Sequence, residues 1–355
     1  MFNKGNQSLI LISTNLGQQI RTISILGLAL FVFCSSSFAK KKGQQQPSKI
    51  LLKPLPKSYL PEPSKRDTET ILRIQIFLDE NNFGPGKIDG RMGQFTRKAV
   101  AHYNFSKGVK YDNYFNVVRN SEDKIKDLFS TYTIKDKDLT FVGEVSLEPE
   151  EQSKIEYMYY RSILEFVAER FHTDENFLTK INPEIKWNQV EIGAEIKVPN
   201  VTPFEIETIE SFKSFKKDRK LSDRLVIVDT NQKLLAIWEK KKILATFPIT
   251  PGQEKFIHRG KWVIQNMLTT PTFRWDQSML KTGKRSNEAF MLPPGPNSPI
   301  GIFWAGLNKA GIGLHGTASP HTIGRSRSAG CVRLANWDVV RLSNLVRPGT
   351  EVEMR

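Results

Sequence analysis

Cysteine is almost absent. The 355-residue chain carries two, Cys34 and Cys331, and no Cys-x-x-Cys pair, so a thiolate-clamped metal centre has little to build on. Acidic residues are the minority, 37 Asp and Glu against 52 Lys and Arg, for a formal charge of +15. That balance suits nucleic acid, anionic lipid or an acidic polymer, and charge alone does not choose among them. A long apolar run is also lacking: residues 23–33 turn Ser-rich at once, short of the ~20 apolar residues a spanning helix needs. Core material is present in quantity. Hydrophobic residues at 39% and aromatics at 10% exclude global disorder, and the length predicts about two or three domains.

The N-terminus narrows the choice. Lys4 and Arg21 precede the apolar run, and Ser37 and Ala39 occupy the −3 and −1 positions before Lys40. This is the layout of a signal peptide over residues 1–39, with a retained anchor as the alternative. Cys34 follows the bulky Phe33, which does not suit lipidation. Cleavage removes two basic residues and no acid, leaving +13 of the original +15. Export places the chain in the periplasm or cell envelope, peripheral to membrane or wall, and excludes nucleic acid as a partner. It also removes Cys34. Cys331 is then a single thiol in a compartment that favours disulfides, and its neighbours Ser328 and Gly330 are not those of an apolar core.

Residues 40–66 are rich in Lys, Pro and Gln without periodicity and read as a basic, semi-extended linker. In residues 67–110, Ile71, Ile74 and Leu78, then Ala99, Val100 and Tyr103, fall at helical spacing, with Gly84-Pro85-Gly86 and Asp89-Gly90 as breakers between them. Ile74-Gln75, Asn82-Phe83, Pro85-Gly86-Lys87-Ile88-Asp89-Gly90, Gly93 with Thr96, and Ala99-Val100 resemble the small helical peptidoglycan-binding domain. Residues 111–150 read as a polar connector, with one short extended segment expected within 136–145. In residues 151–203, Ile163, Val167 and Phe171 make one helical stripe and Phe177, Leu178 and Ile181 another, stopped by Asn182-Pro183. Gly193 and Ile196-Lys197-Val198-Pro199 then turn into an edge strand. This half-pattern resembles a LysM module, which implies binding to glycan. His172, at a helix end, reads as a capping or surface residue. Residues 204–222 read as a charged linker.

From residue 223 the period changes to two. Residues 225–229, 234–238 and 243–249 are apolar runs separated by polar turns, 261–265 and 301–305 are extended, and a helix (337–345) and strand (350–354) close the chain. A β-rich sandwich or barrel is expected over 223–355, which makes the whole chain a multidomain α+β protein.

Its chemistry concentrates in residues 311–334. His315 and Cys331 are separated by Gly316, Pro320, Gly324 and Gly330, a segment able to leave one strand and return to the same mouth. An imidazole beside a thiol can take its proton and lower its pKa, and the thiolate then attacks a carbonyl. Backbone amides around Gly330 are candidates for an oxyanion hole. His315-Gly316-Thr317, Ile323-Gly324 and Ser328-Ala329-Gly330-Cys331-Val332-Arg333-Leu334 resemble the YkuD-type L,D-transpeptidase catalytic domain. The resemblance implies Cys331 as nucleophile and His315 as its base, with no cofactor and no metal. It implies a thioester with a peptidoglycan stem peptide, passed to an amine to give a 3→3 crosslink, or to water in a carboxypeptidase. Arg333, Ser328, Gly330 and Thr317 are expected to contact substrate, Arg333 as an anion partner. Ala329 stands where many members carry histidine, and His258-Arg259-Gly260 where a Thr-Pro-x-Gly motif is usual. Two other readings remain: a wall-binding protein with an inert domain, and a metal site built from Cys331, His315 and His321.

Overall fold

The computed structural model describes residues 68–326 and 330–355. The expected signal segment and basic linker lie outside the described residues. Three helices come first: α1 (Thr68–Glu80), α2 (Gln94–Ser106) and α3 (Tyr114–Lys124). α1 is apolar nearly all round because it serves two cores. Ile74, Phe77 and Leu78 pack with Ala99, Val100 and Tyr103 of α2, whereas Leu72 and Ile76 join the core of the following unit. A helix buried on both sides requires this composition. Buried Gln75 accepts from the amides of Asp89 and Gly90 and donates to Thr96 Oγ1, which pins the α1–α2 loop.

The next unit is a two-stranded antiparallel sheet of β1 (Phe129–Thr133) and β2 (Glu195–Pro199), with Phe129 opposite Pro199. Between them run α4 (Asp136–Leu139), α5 (Pro149–Gln152), α6 (Ile163–Arg170) and α7 (Glu175–Ile181). Of residues 136–145, where one short strand or extended segment is expected, 136–139 is a helical turn whose Asp138 accepts from the Lys135 amide and Val142 makes a single bridge to Tyr160, while the full strand lies earlier, at 129–133. β1 escaped notice because only Tyr132 of its five residues is buried. Residues 111–150, read as a connector, hold α3 and β1. α3 shows little apolar periodicity, burying only Tyr114, Val117 and Ser121. Residues 204–222 also pack down: Phe204 and Ile206 are buried, and Phe215 N donates to Met267 O.

After α8 (Arg219–Ser222) the C-terminal strands follow: β3 (Leu225–Asp229), β4 (Leu234–Glu239), β5 (Lys242–Pro248), β6 (Gly260–Thr269), β7 (Phe273–Trp275), β8 (Phe290–Leu292), β9 (Phe303–Leu307), β10 (Gly313–His315), β11 (Val332–Arg333) and β12 (Glu351–Met354). α9 (Gln277–Thr282) lies between β7 and β8, and α10 (Asn336–Leu345) precedes β12. Eight strands form one sheet in the order β11-β10-β9-β6-β12-β3-β4-β5, while β7 and β8 make a separate hairpin. β6 pairs with β12 along its first residues and, past a bulge at 264–266, with β9. Such a bulge sharpens the local bend. The sheet curls far enough for its ends to meet, since Thr250, just beyond β5, exchanges both backbone hydrogen bonds with Arg333 of β11 (2.9 and 3.0 Å).

The upstream elements are built into this sheet. Residues 82–84 lie along edge strand β5, where Gly84 N donates to Thr246 O (2.7 Å) and Thr246 N to Asn82 O (2.9 Å). An open edge is thereby covered. At the junction of α1, α6 and α10, Arg341 grips Asp79 with both guanidinium nitrogens (2.8 and 2.7 Å). His172 donates from Nδ1 to Asp79 Oδ2 (2.8 Å) and stacks on Trp337. His172 does follow a helix end, in a left-handed conformation (φ 54°), but it is 1% exposed rather than on the surface.

Candidate active site

β10 ends on His315, and β11 begins one residue after Cys331. The two strands run parallel, with Leu314 opposite Val332 and His315 opposite Arg333. Parallel neighbours require a crossover, and the loop after His315 provides it. Gly324 anchors that loop: its amide donates to Thr250 Oγ1 (2.8 Å), and its carbonyl accepts from Lys233 Nζ (2.5 Å). The return into β11 passes through Gly330 at φ 132°, where a side chain would be strained, and a Cβ on Gly252 would approach the Gly330 Cα to 2.5 Å. Glycine at both positions lets the chain come this close to residues 250–252.

His315, Cys331 and Arg333 thus line one cavity of about 650 Å³. Trp304 stacks on His315 (centroids 5.8 Å apart) from the neighbouring strand β9. The β7–α9–β8 segment forms the outer wall and contributes Arg274, Trp275, Met279 and Arg285. Asp276 holds that wall together, accepting from Met279 N, Ser286 N and Arg274 Nη1. The Met279 and Ser286 amides hold its carboxyl well below the usual range.

His315 Nδ1 lies 2.7 Å from the Gly316 carbonyl. A carbonyl only accepts, so Nδ1 carries the proton and Nε2 the lone pair. Burial lowers the imidazole to about 4. Cys331 Sγ donates to Gly311 O (3.3 Å), and although the residue is partly open to the cavity, burial pushes its thiol up to about 11. The expectation that the imidazole depresses the thiol pKa is therefore not met in the resting site. Loss of water around both groups favours their neutral forms. Burial also lowers Arg333, opposed by Cys331.

The other expected contacts divide. Arg333 faces the cavity. Gly330 shapes the backbone beside Cys331. Thr317 is 2% exposed behind His315, its amide donating to Asn336 Oδ1 and its hydroxyl accepting from Ser319 N, so it belongs to the scaffold. Ser328 lies outside the described residues. His321 is exposed, and among the described residues no three His, Cys, Asp or Glu side chains converge as metal ligands. Sequence reasoning missed Trp304, Arg285 and Asn336. Arg285 lies far from the motif along the chain, Trp304 sits just before it in a stretch read only as extended, and Asn336 follows it as an ordinary helix-opening residue.

The family model of the L,D-transpeptidase catalytic domain matches residues 223–354. YkuD of Bacillus licheniformis, assigned as an L,D-transpeptidase, is 28% identical over 192 residues, covering 54% of this chain and 92% of that protein. That stretch exceeds the C-terminal domain, so the similarity continues into the residues before it. YkuD of Bacillus subtilis is 44% identical over 57 residues, 16% of this chain and 35% of that protein. Among solved structures, an L,D-transpeptidase from Mycobacterium smegmatis is 17% identical with a TM-score of 0.30 and covers 38% of this chain. The chain spans 58% of that structure's length.

Proposed function

We propose that this chain, whose residues 223–354 are an L,D-transpeptidase catalytic domain, is an exported enzyme of cell-wall biogenesis. It forms a thioester between Cys331 and a peptidoglycan stem peptide and transfers the acyl group to an amine, giving 3→3 crosslinks. Residues 67–110 are read as a peptidoglycan-binding-like domain and 151–203 as a LysM-like module, both directed at the wall polymer in the periplasm or envelope. The observation that carries the reading is the meeting of Cys331, His315 and Arg333 on the wall of one cavity.

The resting pair is neutral, so the thiol gives up its proton only as the carbonyl is attacked. His315 Nε2 takes that proton while the Sγ–C bond forms, and the imidazolium then protonates the departing amine. An incoming amine reverses these steps: it attacks the thioester, loses its proton to Nε2, and Sγ leaves and regains a proton. A neutral thiol also resists oxidation in an oxidising compartment, because oxidants attack the thiolate. Arg333 and Arg285 suit a stem carboxylate.

Incubation with a carbapenem and intact-mass measurement tests the assignment. A single adduct on Cys331 is expected, abolished in Cys331→Ala and slowed in His315→Ala. Turnover of disaccharide-tetrapeptide by a folded Cys331→Ala protein would sink it.

A further inference from the structure

The upstream unit reaches the catalytic turn through one buried carboxyl group. Glu169, on α6, is 5% exposed, and its Oε1 accepts from Tyr160 Oη (3.0 Å) and Asn336 Nδ2 (2.8 Å). Asn336, fully buried at the start of α10, also donates from Nδ2 to Pro296 O (3.2 Å). Its Oδ1 accepts from the amides of Thr317 (3.2 Å) and Ile302 (3.4 Å). Gly316 and Gly301 pack so closely on that oxygen that a Cβ on either would collide with it.

Each link has one chemically allowed sense. The Thr317 and Ile302 amides only donate, so they fix Asn336 Oδ1 as their acceptor and turn its NH2 toward Glu169 Oε1. A flipped Asn336 would set donor against donor at Thr317 and Ile302. Burial raises Glu169 to about 8 against the opposing hydrogen bond from Asn336, so the group is neutral near pH 7; facing the Asn336 NH2, Oε1 is the accepting oxygen and Oε2 carries the proton. The backbone fixed in this way carries the Gly316 carbonyl, which holds the Nδ1–H of His315.

We propose that Glu169 is a positioning residue for His315, acting through Asn336 and the 316–317 backbone. The upstream unit is then part of the catalytic apparatus as well as a contact to the wall. This rests on the reading of His315 as the base, but the placement of His315 can be measured without any turnover.

The test uses the full chain with Glu169→Leu, which keeps bulk and removes the acceptor, and Glu169→Gln, which keeps the acceptor. The first readout is the His315 imidazole titration by NMR, near 4 in the parent and expected to move toward the ordinary 6.5 in Glu169→Leu as the turn loosens. The second is turnover. A loss of about 10–100-fold in kcat with little change in KM is expected for Glu169→Leu, as for ångström-scale misplacement of a catalytic group. Glu169→Gln should restore kcat to within about threefold, since only the acceptor matters. If Glu169→Leu does not fold, Asn336→Ser carries the same expectations from the other end of the link. A folded Glu169→Leu protein with parental kcat and an unmoved His315 titration overturns the proposal. If the parent enzyme neither turns over nor acylates Cys331 while the His315 titration still responds to Glu169→Leu, the transpeptidase reading fails and the positioning link stands.

Discussion

Asp79, His172 and Arg341 at the junction of α1, α6 and α10 are as deeply set as the pair in the active site, yet burial acts on the two groups differently. At the junction burial opposes ionisation of Asp79, but Arg341 and His172 overcome it and hold the carboxyl well below its usual range. Burial likewise works against the Arg341 guanidinium, and Asp79 raises it above its ordinary value. A complete ion pair results, joining three elements that are distant in sequence. At the active site the charge of Arg333 lowers both the His315 and the Cys331 pKa, but at the thiol burial outweighs it. Burial drives the imidazole down to about 4 and the thiol up to about 11. Charges that complete each other make structure, whereas titratable groups held neutral in a cavity keep a proton available for chemistry.

The contrast breaks most visibly by removing one member of each cluster. His315→Ala should reduce turnover by about 10²–10⁴-fold, the usual range for a positioned general base, while the folded state persists. Asp79→Ala should do the reverse. It leaves Arg341 buried without its carboxylate, at a cost of about 3–5 kcal/mol in urea unfolding, while kcat of the remaining folded protein stays near parental. If both variants lose stability and activity together, the division between structural and catalytic clusters is wrong.

Acid separates the clusters next. His315 titrates near 6.5 when unfolded and near 4 when folded. Between those values the unfolded chain binds more protons, so stability rises with pH across that window and is lost as pH falls through it, by about 3 kcal/mol in all. His315→Gln should remove this slope. The Asp79 contribution is present above its ordinary 3.8 and is lost only as pH falls below it, so Asp79→Asn should alter the curve in the more acidic range. Differential scanning calorimetry at stepped pH resolves the two windows. Iodoacetamide labelling of Cys331 should accelerate only toward pH 11, as its folded thiol ionises. Rapid labelling at pH 6 would mean a resting ion pair.

The same contrast explains what could be read from the sequence. The thiol, the imidazole, the strand pattern of 225–249 and the closing helix at Asn336–Leu345 are encoded locally, as residue spacing and hydrophobic period. α1 and α2 are also local signals. β1 is not, because its stability comes from pairing with β2 more than sixty residues later and only Tyr132 faces inward. The junction is equally non-local, since Arg341 reaches Asp79 across 262 positions. The thiol departs from its expected pKa direction for a related reason. A His–Cys spacing shows that two groups can meet, but the water excluded around them depends on Trp304, the β7–β8 wall and the closure at Thr250.

Arginine-to-lysine changes give the smallest and sharpest separation, because they keep charge and remove only the planar fork. At Arg341 the fork makes two hydrogen bonds to Asp79 at 2.8 and 2.7 Å. Arg341→Lys retains one point contact and should cost about 1 kcal/mol of stability, with kcat and KM near parental. At Arg333 the guanidinium lines the cavity beside Cys331. Arg333→Lys should leave unfolding unchanged within about 0.5 kcal/mol and raise KM for a carboxylate-bearing stem about three- to tenfold through loss of bidentate recognition. Equal stability losses in the two lysine variants, with KM unmoved, would place Arg333 in the scaffold alongside Thr317 and remove it from substrate binding.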